Sequence, residues 1–308
     1  LNLVSLLKPL DKFAVKVTVV VPAFNVEAFI AQAMRSLAAQ RYKNLRVILV
    51  DDHCTDRSIE KARPFEKRFD LTIVRGTHDG LGAARNTGVD QVGETDYIIF
   101  LDSDDVMVPG TISKLARLAQ KFGADMVNGQ SAKFVGLGIF PRRDTRFLYQ
   151  GRREELLTLE AEPKMIYDST PWNKLISWEF WKANKLSWPL HVYFEDLIVS
   201  SKIMALGAKV VLTPKIIYLW RVRVNATRSI TQTHAEIRTL RDRVSAARIA
   251  TANLKEALAA GRITQPTLDA LQEKLRTHDL EIYLPHYPNP TGEAKELMDE
   301  FKALAGVQ

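Results

Sequence analysis

Tyr97, Ile98, Ile99, Phe100 and Leu101 lead directly into Asp102, Ser103, Asp104 and Asp105. A strand-length apolar run thus ends abruptly in three carboxylates. Carboxylates gathered in a buried site repel one another and lose hydration, at a cost of several kcal/mol per ion. A hard divalent cation with oxygen ligands would offset that cost. Mg²⁺ typically takes one or two carboxylates and completes its shell with substrate phosphates. The same residues also read as a strand followed by an acidic turn or a helix N-terminus, and this stretch alone does not choose. A second acidic pair, Glu195 and Asp196, follows the aromatic stretch His191-Val192-Tyr193-Phe194. It reads either as a positioned general base or as acids favoured by a helix dipole.

The elements that carry these acids alternate. Val17–Val21 is a continuous β-branched run, as expected of a strand buried on both faces, and Pro22 ends it. Residues 26–40 hold Ala28, Phe29, Ala33 and Leu37 at helical spacing. Leu45–Val50 is a second buried strand that stops at Asp51 and Asp52. Ser58–Phe69 reads as helix and Leu71–Val74 as strand. Gly80-Leu81-Gly82 precedes a helix from Ala83 to Val89, and Tyr97–Leu101 is the next strand. Such alternation implies an α/β chain with a parallel sheet between two layers of helices. In these sheets ligands sit beyond the C-terminal strand ends. Asn25, Asp51, Asp52 and Asp102–Asp105 all fall there.

Residues 108–233 are less regular. Thr111–Phe122 reads as helix, residues 123–152 as short strands and loops, and Val210–Leu212 and Ile216–Trp220 as strands. Arg142, Arg143, Arg146, Arg152 and Arg153 form a loose basic cluster, read as a solvated face or an acceptor contact. Trp172, Trp178, Trp181 and Trp188 read as core, with a sugar platform as the alternative. After Thr233 the composition shifts to Ala, Leu, Arg and Glu. Ile237, Leu240, Val244, Ala247, Leu254 and Leu258 mark an amphipathic helix that Gly261 would stop. Two further helices are expected near 267–281 and 292–304. Packing of this region against the preceding domain is the simplest use of its apolar stripe, with oligomerisation, membrane docking or a further catalytic domain as alternatives.

The chain has 308 residues, 46% of them hydrophobic, and a formal net charge of +7. That size supports a substantial core. The positive charge suits anionic ligands, polymers or surfaces without selecting one. No nucleic-acid-binding signature is visible, so nucleic acid is not an expected partner. No apolar run approaches the roughly 18 residues of a membrane span. The single cysteine, Cys54, rules out an internal disulfide framework and fits a reducing compartment. A cytoplasmic protein, peripheral at the inner membrane face or free of it, is the expectation. Leu1 in place of Met suggests a trimmed chain or a piece of a longer one.

Five segments fall in order: Val17-Thr-Val-Val-Val-Pro22-Ala-Phe24-Asn25-Val-Glu27, Val50-Asp51-Asp52-His-Cys-Thr55-Asp56, Gly80-Leu-Gly-Ala-Ala-Arg85-Asn86-Thr-Gly88, Leu101-Asp102-Ser103-Asp104-Asp105 and Phe194-Glu195-Asp196. Each is weak alone, but the ordered series resembles the family-2 glycosyltransferases of the GT-A fold over roughly residues 15–232. The resemblance implies a mostly parallel Rossmann-like sheet flanked by helices. It divides the chain into an N-terminal extension (1–14), a catalytic domain (15–233) and a C-terminal helical region (234–308). Within the catalytic domain, 15–107 would bind the nucleotide-sugar and 108–233 the acceptor.

The resemblance also implies inverting transfer of a hexosyl or N-acetylhexosaminyl group. Pro22, Phe24 and Asn25 would hold the nucleoside. Asp52 matches the acid that bonds the base. A carboxylate accepts from an imide N–H, which uracil and thymine carry and cytosine lacks, so a UDP- or dTDP-sugar is expected. Arg85 and Asn86 match donor-pocket positions, although Arg85 also suits an ion pair with the acids. Asp104 is the expected direct ligand of Mg²⁺ or Mn²⁺. Asp102 would touch the donor or the metal, Ser103 lies between them, and Asp105 would orient the turn. Asp196 takes the base position beside Glu195. Thr170-Pro-Trp172-Asn-Lys174-Leu175 and Tyr218-Leu-Trp-Arg221-Val-Arg223 resemble segments of bacterial enzymes that build surface polymers. Arg228 and Ser229 match a loop over the diphosphate, with Arg228 where many relatives carry a metal-binding His. The expected acceptor is therefore a polysaccharide or a polyol-phosphate polymer such as teichoic acid. Two rivals stand beside this reading. A sugar nucleotidyltransferase would want a glycine-rich phosphate loop after the first strand, which is missing. A non-catalytic carbohydrate-binding module would not need the full set of acids.

Overall fold

The computed structural model describes residues 15–136, 138–223 and 234–307. Arg228, Ser229 and the 1–14 extension lie outside the described residues. The first strand, β1 (Val17–Ala23), is buried along its whole length. Val17, Val19 and Val21 enter one core layer and Val20 the other, because successive side chains of a strand point to opposite faces. Helix α1 (Ile30–Ala38) covers the first layer with Ile30, Ala33, Met34 and Leu37, one helical face. Strands β2 (Leu45–Asp51), β3 (Asp70–Arg75) and β4 (Tyr97–Phe100) complete a parallel half in the order β3-β2-β1-β4. Ala23, Asp51 and Arg75 are in register. Leu101 N donates to Val20 O, so the acids after β4 emerge along the same C-terminal edge.

Between these strands run α2 (Ser58–Ala62) and α3 (Leu81–Asp90). The helix expected over Ser58–Phe69 ends at Ala62 and tightens into a 3₁₀ turn over Arg63–Lys67. Pro64 is the cause, since it has no N–H to give and its ring crowds the preceding turn. Gly88 on α3 sits hard against the sheet. A Cβ there would lie 2.4 Å from Val20 Cγ1, so only glycine lets this helix approach so closely.

The second half is mixed. After β5 (Val106–Met107) come α4 (Thr111–Phe122), β6 (Met126–Val135), β7 (Gly138–Pro141), the single turn α5 (Arg146–Tyr149), β8 (Leu156–Leu157), β9 (Lys174–Ser177), α6 (Trp178–Ala183), α7 (Glu195–Ala205) and β10 (Val210–Arg221). Antiparallel β9 joins β4 to β6. The two strands read over 210–220 form one, with the register slipping between Thr213 and Ile216 around Pro214. That is how a strand tolerates a residue with no N–H.

The C-terminal region forms α8 (Ile237–Ala259), α9 (Gln265–Lys274), a π-helical turn over Leu275–Leu280, α10 (Glu281–Tyr283) and α11 (Gly292–Leu304). Gly261, at φ +67°, ends the α8 segment as its sequence suggested. Leu240, Val244, Ala247 and Leu254 are fully buried in one core with α7, Leu271 and Phe301. Most of the apolar stripe is therefore buried inside this chain, with Ile237 left exposed at its start. Among the described residues no helix is long and apolar enough to cross a membrane.

Candidate active site

The loop after β1 is stitched to the loop after β2. Asn25 is held at φ +49°, and its Oδ1 accepts from Thr55 N at 2.8 Å. Val26 N donates to Ser58 Oγ at 2.8 Å, and Glu27 N donates to Asp56 at 2.9 Å. Asp51 anchors the second loop by accepting from Cys54 N and from Arg75 Nη1, at 2.8 and 2.6 Å. Asp52 is buried at 6% exposure, and its Oδ1 accepts from His78 N at 2.8 Å. Gly76 permits that approach, since a Cβ there would lie 2.5 Å from Asp52 Oδ1. Phe24 is half exposed, and its ring stands 4.9 Å from that of His78. Pro22 lies in β1, one residue before its end. An aromatic surface and a carboxylate thus flank the sheet edge where a nucleobase was expected.

Asp102 and Asp104 stand at the same edge, about a quarter and a fifth exposed, with buried Ser103 between them. The cost of gathering these acids is met largely by protein groups. Arg85, 2% exposed, donates to Asp102 Oδ1 at 2.9 Å and to Glu195 Oε1 at 2.5 Å. Arg223 brings Nε and Nη2 to Asp104 Oδ2 at 2.8 and 2.6 Å. Asp105 accepts from the Tyr218 hydroxyl and from Arg221 N, both at 2.7 Å. Burial, then Asp104 and Asp102, push the Asp105 carboxyl well above the usual range. Burial also raises Asp102 and Glu195, with Arg85 pulling both back. Guanidinium groups thus already do much of the neutralisation for which these acids would otherwise need a metal.

The donor set nonetheless suits a hard cation, since Asp102 and Asp104 offer carboxylate oxygens at the accessible edge. Among the described residues no three His, Cys, Asp or Glu side chains form a metal cage. A cation here would draw its remaining ligands from a diphosphate, the usual Mg²⁺ arrangement. It would share Asp104 with Arg223.

Of the two motif residues on α3, Arg85 is internal, at the centre of the acid cluster, and it is fixed from above by Trp188 at 4.7 Å. Asn86 spends its amide on backbone. Nδ2 donates to Trp188 O and Oδ1 accepts from Trp188 N, both at 2.8 Å. Those bonds clamp the 188–194 segment onto α3. Asp196, part-buried, lies in the first turn of α7, where its Oδ1 accepts from Leu197 N at 2.8 Å. The four tryptophans between 172 and 188 are buried at 9% exposure or less, which settles them as core. In the basic cluster, Arg142 and Arg152 pair with Asp144 and Glu162.

Sequence reasoning missed the buried network beneath the site. Asp168 accepts from Thr170 and Asn173 at 2.8 and 2.7 Å, lies 3.4 Å from Lys174 Nζ and also accepts from the Tyr149 hydroxyl. The Thr170–Lys174 motif is therefore a folding element of the mixed half of the sheet. It also missed Arg223 on Asp104. The only signal was the matching spacing of Arg221 and Arg223 with Asp102 and Asp104; the acids themselves lie in a turn closed by Asp105 N donating to Asp102 O.

A mixed sheet with acids along the C-terminal edge of its parallel half, and a second acid pair facing them, defines an α/β fold with a ligand site at that edge. The Glycosyl transferase family 2 model matches residues 18–180, and the chain belongs to that family. Among curated proteins it is 28% identical over 217 residues to the glycosyltransferase GlyA of Streptococcus pneumoniae serotype 4, covering 68% of this chain and 31% of GlyA. It is 24% identical over 182 residues to the poly(ribitol-phosphate) beta-glucosyltransferase of Bacillus spizizenii, covering 58% of this chain and 27% of that enzyme. The chain thus spans about a third or less of these two relatives. Among solved structures, S. aureus TarS 1–349 in complex with UDP-GlcNAc superposes with a TM-score of 0.62 at 18% identity, covering 94% of this chain and 90% of that one. The mannosyltransferase PcManGT of Pyrobaculum calidifontis, in complex with GDP-Man and Mn²⁺, gives 0.62 at 17% identity, covering 98% and 85%. These likenesses support the GT-A fold with its C-terminal helices.

Proposed function

We propose that this chain transfers a sugar from a UDP-sugar to a hydroxyl of a bacterial surface polysaccharide or polyol-phosphate polymer, with inversion at the anomeric carbon. One observation carries the reading. A single buried guanidinium, Arg85, binds Asp102 on one side and Glu195 on the other, at 2.9 and 2.5 Å. The two acid motifs therefore face one another across one side chain, which is the layout that in-line displacement needs.

In this reading Phe24 and Asn25 bound the nucleoside pocket, and Asp52 offers its second oxygen to the imide N–H of uracil. Asp102 and Asp104 would hold Mg²⁺ or Mn²⁺, which supplies electrostatic stabilisation of the departing nucleoside diphosphate. Arg223, and Arg228 and Ser229 beyond the described residues, are the cationic and hydroxyl groups available to the diphosphate. Asp196 takes the proton of the attacking hydroxyl, and Glu195, tied to Arg85, fixes the start of α7. Support for the donor comes from the UDP-GlcNAc complex of TarS and for the metal from the Mn²⁺ complex of PcManGT, both on this fold. The poly(ribitol-phosphate) relative supports the acceptor class. A hydrolysis screen of nucleotide sugars with and without Mn²⁺ tests the reading. Release of UDP from one UDP-sugar, dependent on Mn²⁺, is expected; selective turnover of a GDP-sugar would overturn the donor assignment.

A further inference from the structure

The segment leading into α7 is strained. His191 and Phe194 are held at φ +58° and +64°. Residues other than glycine rarely adopt that region, and a bulky side chain such as Phe194 persists there only where surrounding contacts over-determine it. Phe194 is the residue before Glu195-Asp196, so whatever holds it also sets where the Asp196 carboxylate stands.

The holding contacts come from the C-terminal helices. Tyr193 N donates to Asp242 Oδ2 at 3.3 Å, and the Arg238 guanidinium covers the Tyr193 ring at 4.6 Å. Arg243 stacks on Phe194, its Cζ 4.7 Å from the ring centre. Arg243 is itself fixed by a buried ion pair with Asp279, and Lys274 Nζ donates to the same carboxylate at 2.7 Å. Lys274 and Asp279 are each 4% exposed. Farther along, Asn253 Nδ2 donates to Ser201 Oγ at 3.1 Å, so α8 grips α7 beyond its first turn. One buried carboxylate thus serves two buried cations.

We propose that Asp242 and Arg243 are positioning residues for the transfer reaction, so that the C-terminal helices set the geometry of the catalytic site as well as covering a core. The inference rests on Asp196 being the base. Asp242 fixes the peptide at Tyr193, Arg243 clamps the Phe194 ring, and Asp279 holds Arg243 in place.

The test compares Arg243→Gln, Arg243→Lys, Asp242→Asn and Lys274→Met in the full chain. Arg243→Gln leaves Asp279 paired with Lys274, so no buried acid is stranded. Lys274→Met leaves the Arg243–Asp279 pair on Phe194, and it serves as a control that should behave as wild type. Hydrogen exchange of the peptide spanning residues 190–197 reads the positioning without reference to any donor. Arg243→Gln should speed that exchange roughly tenfold, as expected for loss of a local hold, with the 101–107 peptide unchanged. Hydrolysis of UDP-GlcNAc with Mn²⁺ supplies the second reading. The kcat of Arg243→Gln and Asp242→Asn should fall about 100-fold with KM little changed, the scale of a misplaced reacting group. Arg243→Lys should recover most of both losses. Wild-type exchange at 190–197 in Arg243→Gln would overturn the inference whatever the donor. If Asp196→Asn turns over normally while Arg243→Gln still loosens that peptide, the base assignment fails and the positioning of the segment stands.

Discussion

Arg85 Nη1 donates to Glu195 Oε1 at 2.5 Å, a bond between residues 110 positions apart that is buried on both sides. The same guanidinium holds Asp102 at 2.9 Å. Replacing Arg85 with Met would leave a buried Glu195 and a shielded Asp102 without their shared counter-ion. Breaking a buried pair by removing one partner typically costs about 3–5 kcal/mol. A loss of that size is expected in urea unfolding. A loss under about 1 kcal/mol would mean the pair behaves as an exposed one.

If Asp104 binds the proposed metal ion, that ion must compete with Arg223 for its carboxylate. Arg223→Gln frees Asp104 Oδ2 and should tighten binding of Mn²⁺ alone several-fold, read by electron paramagnetic resonance titration. Asp104→Ala should abolish metal-dependent UDP binding in calorimetry. Equal Mn²⁺ affinity in wild type and Arg223→Gln would place the cation away from that oxygen.

Asp196→Asn keeps the shape of the first turn of α7 and removes a proton acceptor. Turnover of the selected donor should drop by about 10²–10⁴-fold, the usual worth of a positioned base, with UDP affinity unchanged. Near-normal turnover would move the base role elsewhere.

Burial alone would raise Asp168, but Lys174 and Arg142 outweigh it and hold the carboxyl down to about 2 against an ordinary value of 3.8. A depressed acid adds stability that is present above its unfolded value and lost as pH falls through its folded one. Asp168 should therefore contribute about 2 kcal/mol near neutrality and lose it between about pH 4 and pH 2. In urea melts the stability gap between wild type and Asp168→Asn should narrow by that amount over this window. A constant gap would show that the acid is not held down.

The parallel half was legible because its strands are short, largely β-branched or apolar runs followed within a few residues by proline or polar residues. The same stops disclosed Asn25, Asp52 and the Asp102–Asp105 turn, since chain direction in a parallel sheet sends all of them to one edge. Helices α4 and α11 matched their expected limits, because apolar spacing and flanking glycine or proline are local signals. Antiparallel β9 was not legible. It is short, and its pairing with β4 and β6 depends on elements far away in sequence.

What the sequence by itself determined is the inventory and its approximate place: acids at strand ends, an acidic pair at a helix start and an apolar stripe near the C-terminus. Those follow from periodicities of two and 3.6 residues, which any short window contains. Only the tertiary structure decided how the charges are shared. It gave Arg85 to Asp102 and Glu195, Arg223 to Asp104, and Arg243 to Asp279 and the Phe194 ring. Ion pairing depends on distance and burial in space, and a guanidinium at the end of a long side chain can choose among several acids that sequence spacing leaves equivalent. For that reason the acid cluster and a pairing role for Arg85 were legible in the sequence, while the choice of Asp102 and Glu195 as its partners, and of Arg223 for Asp104, was made only in the folded chain.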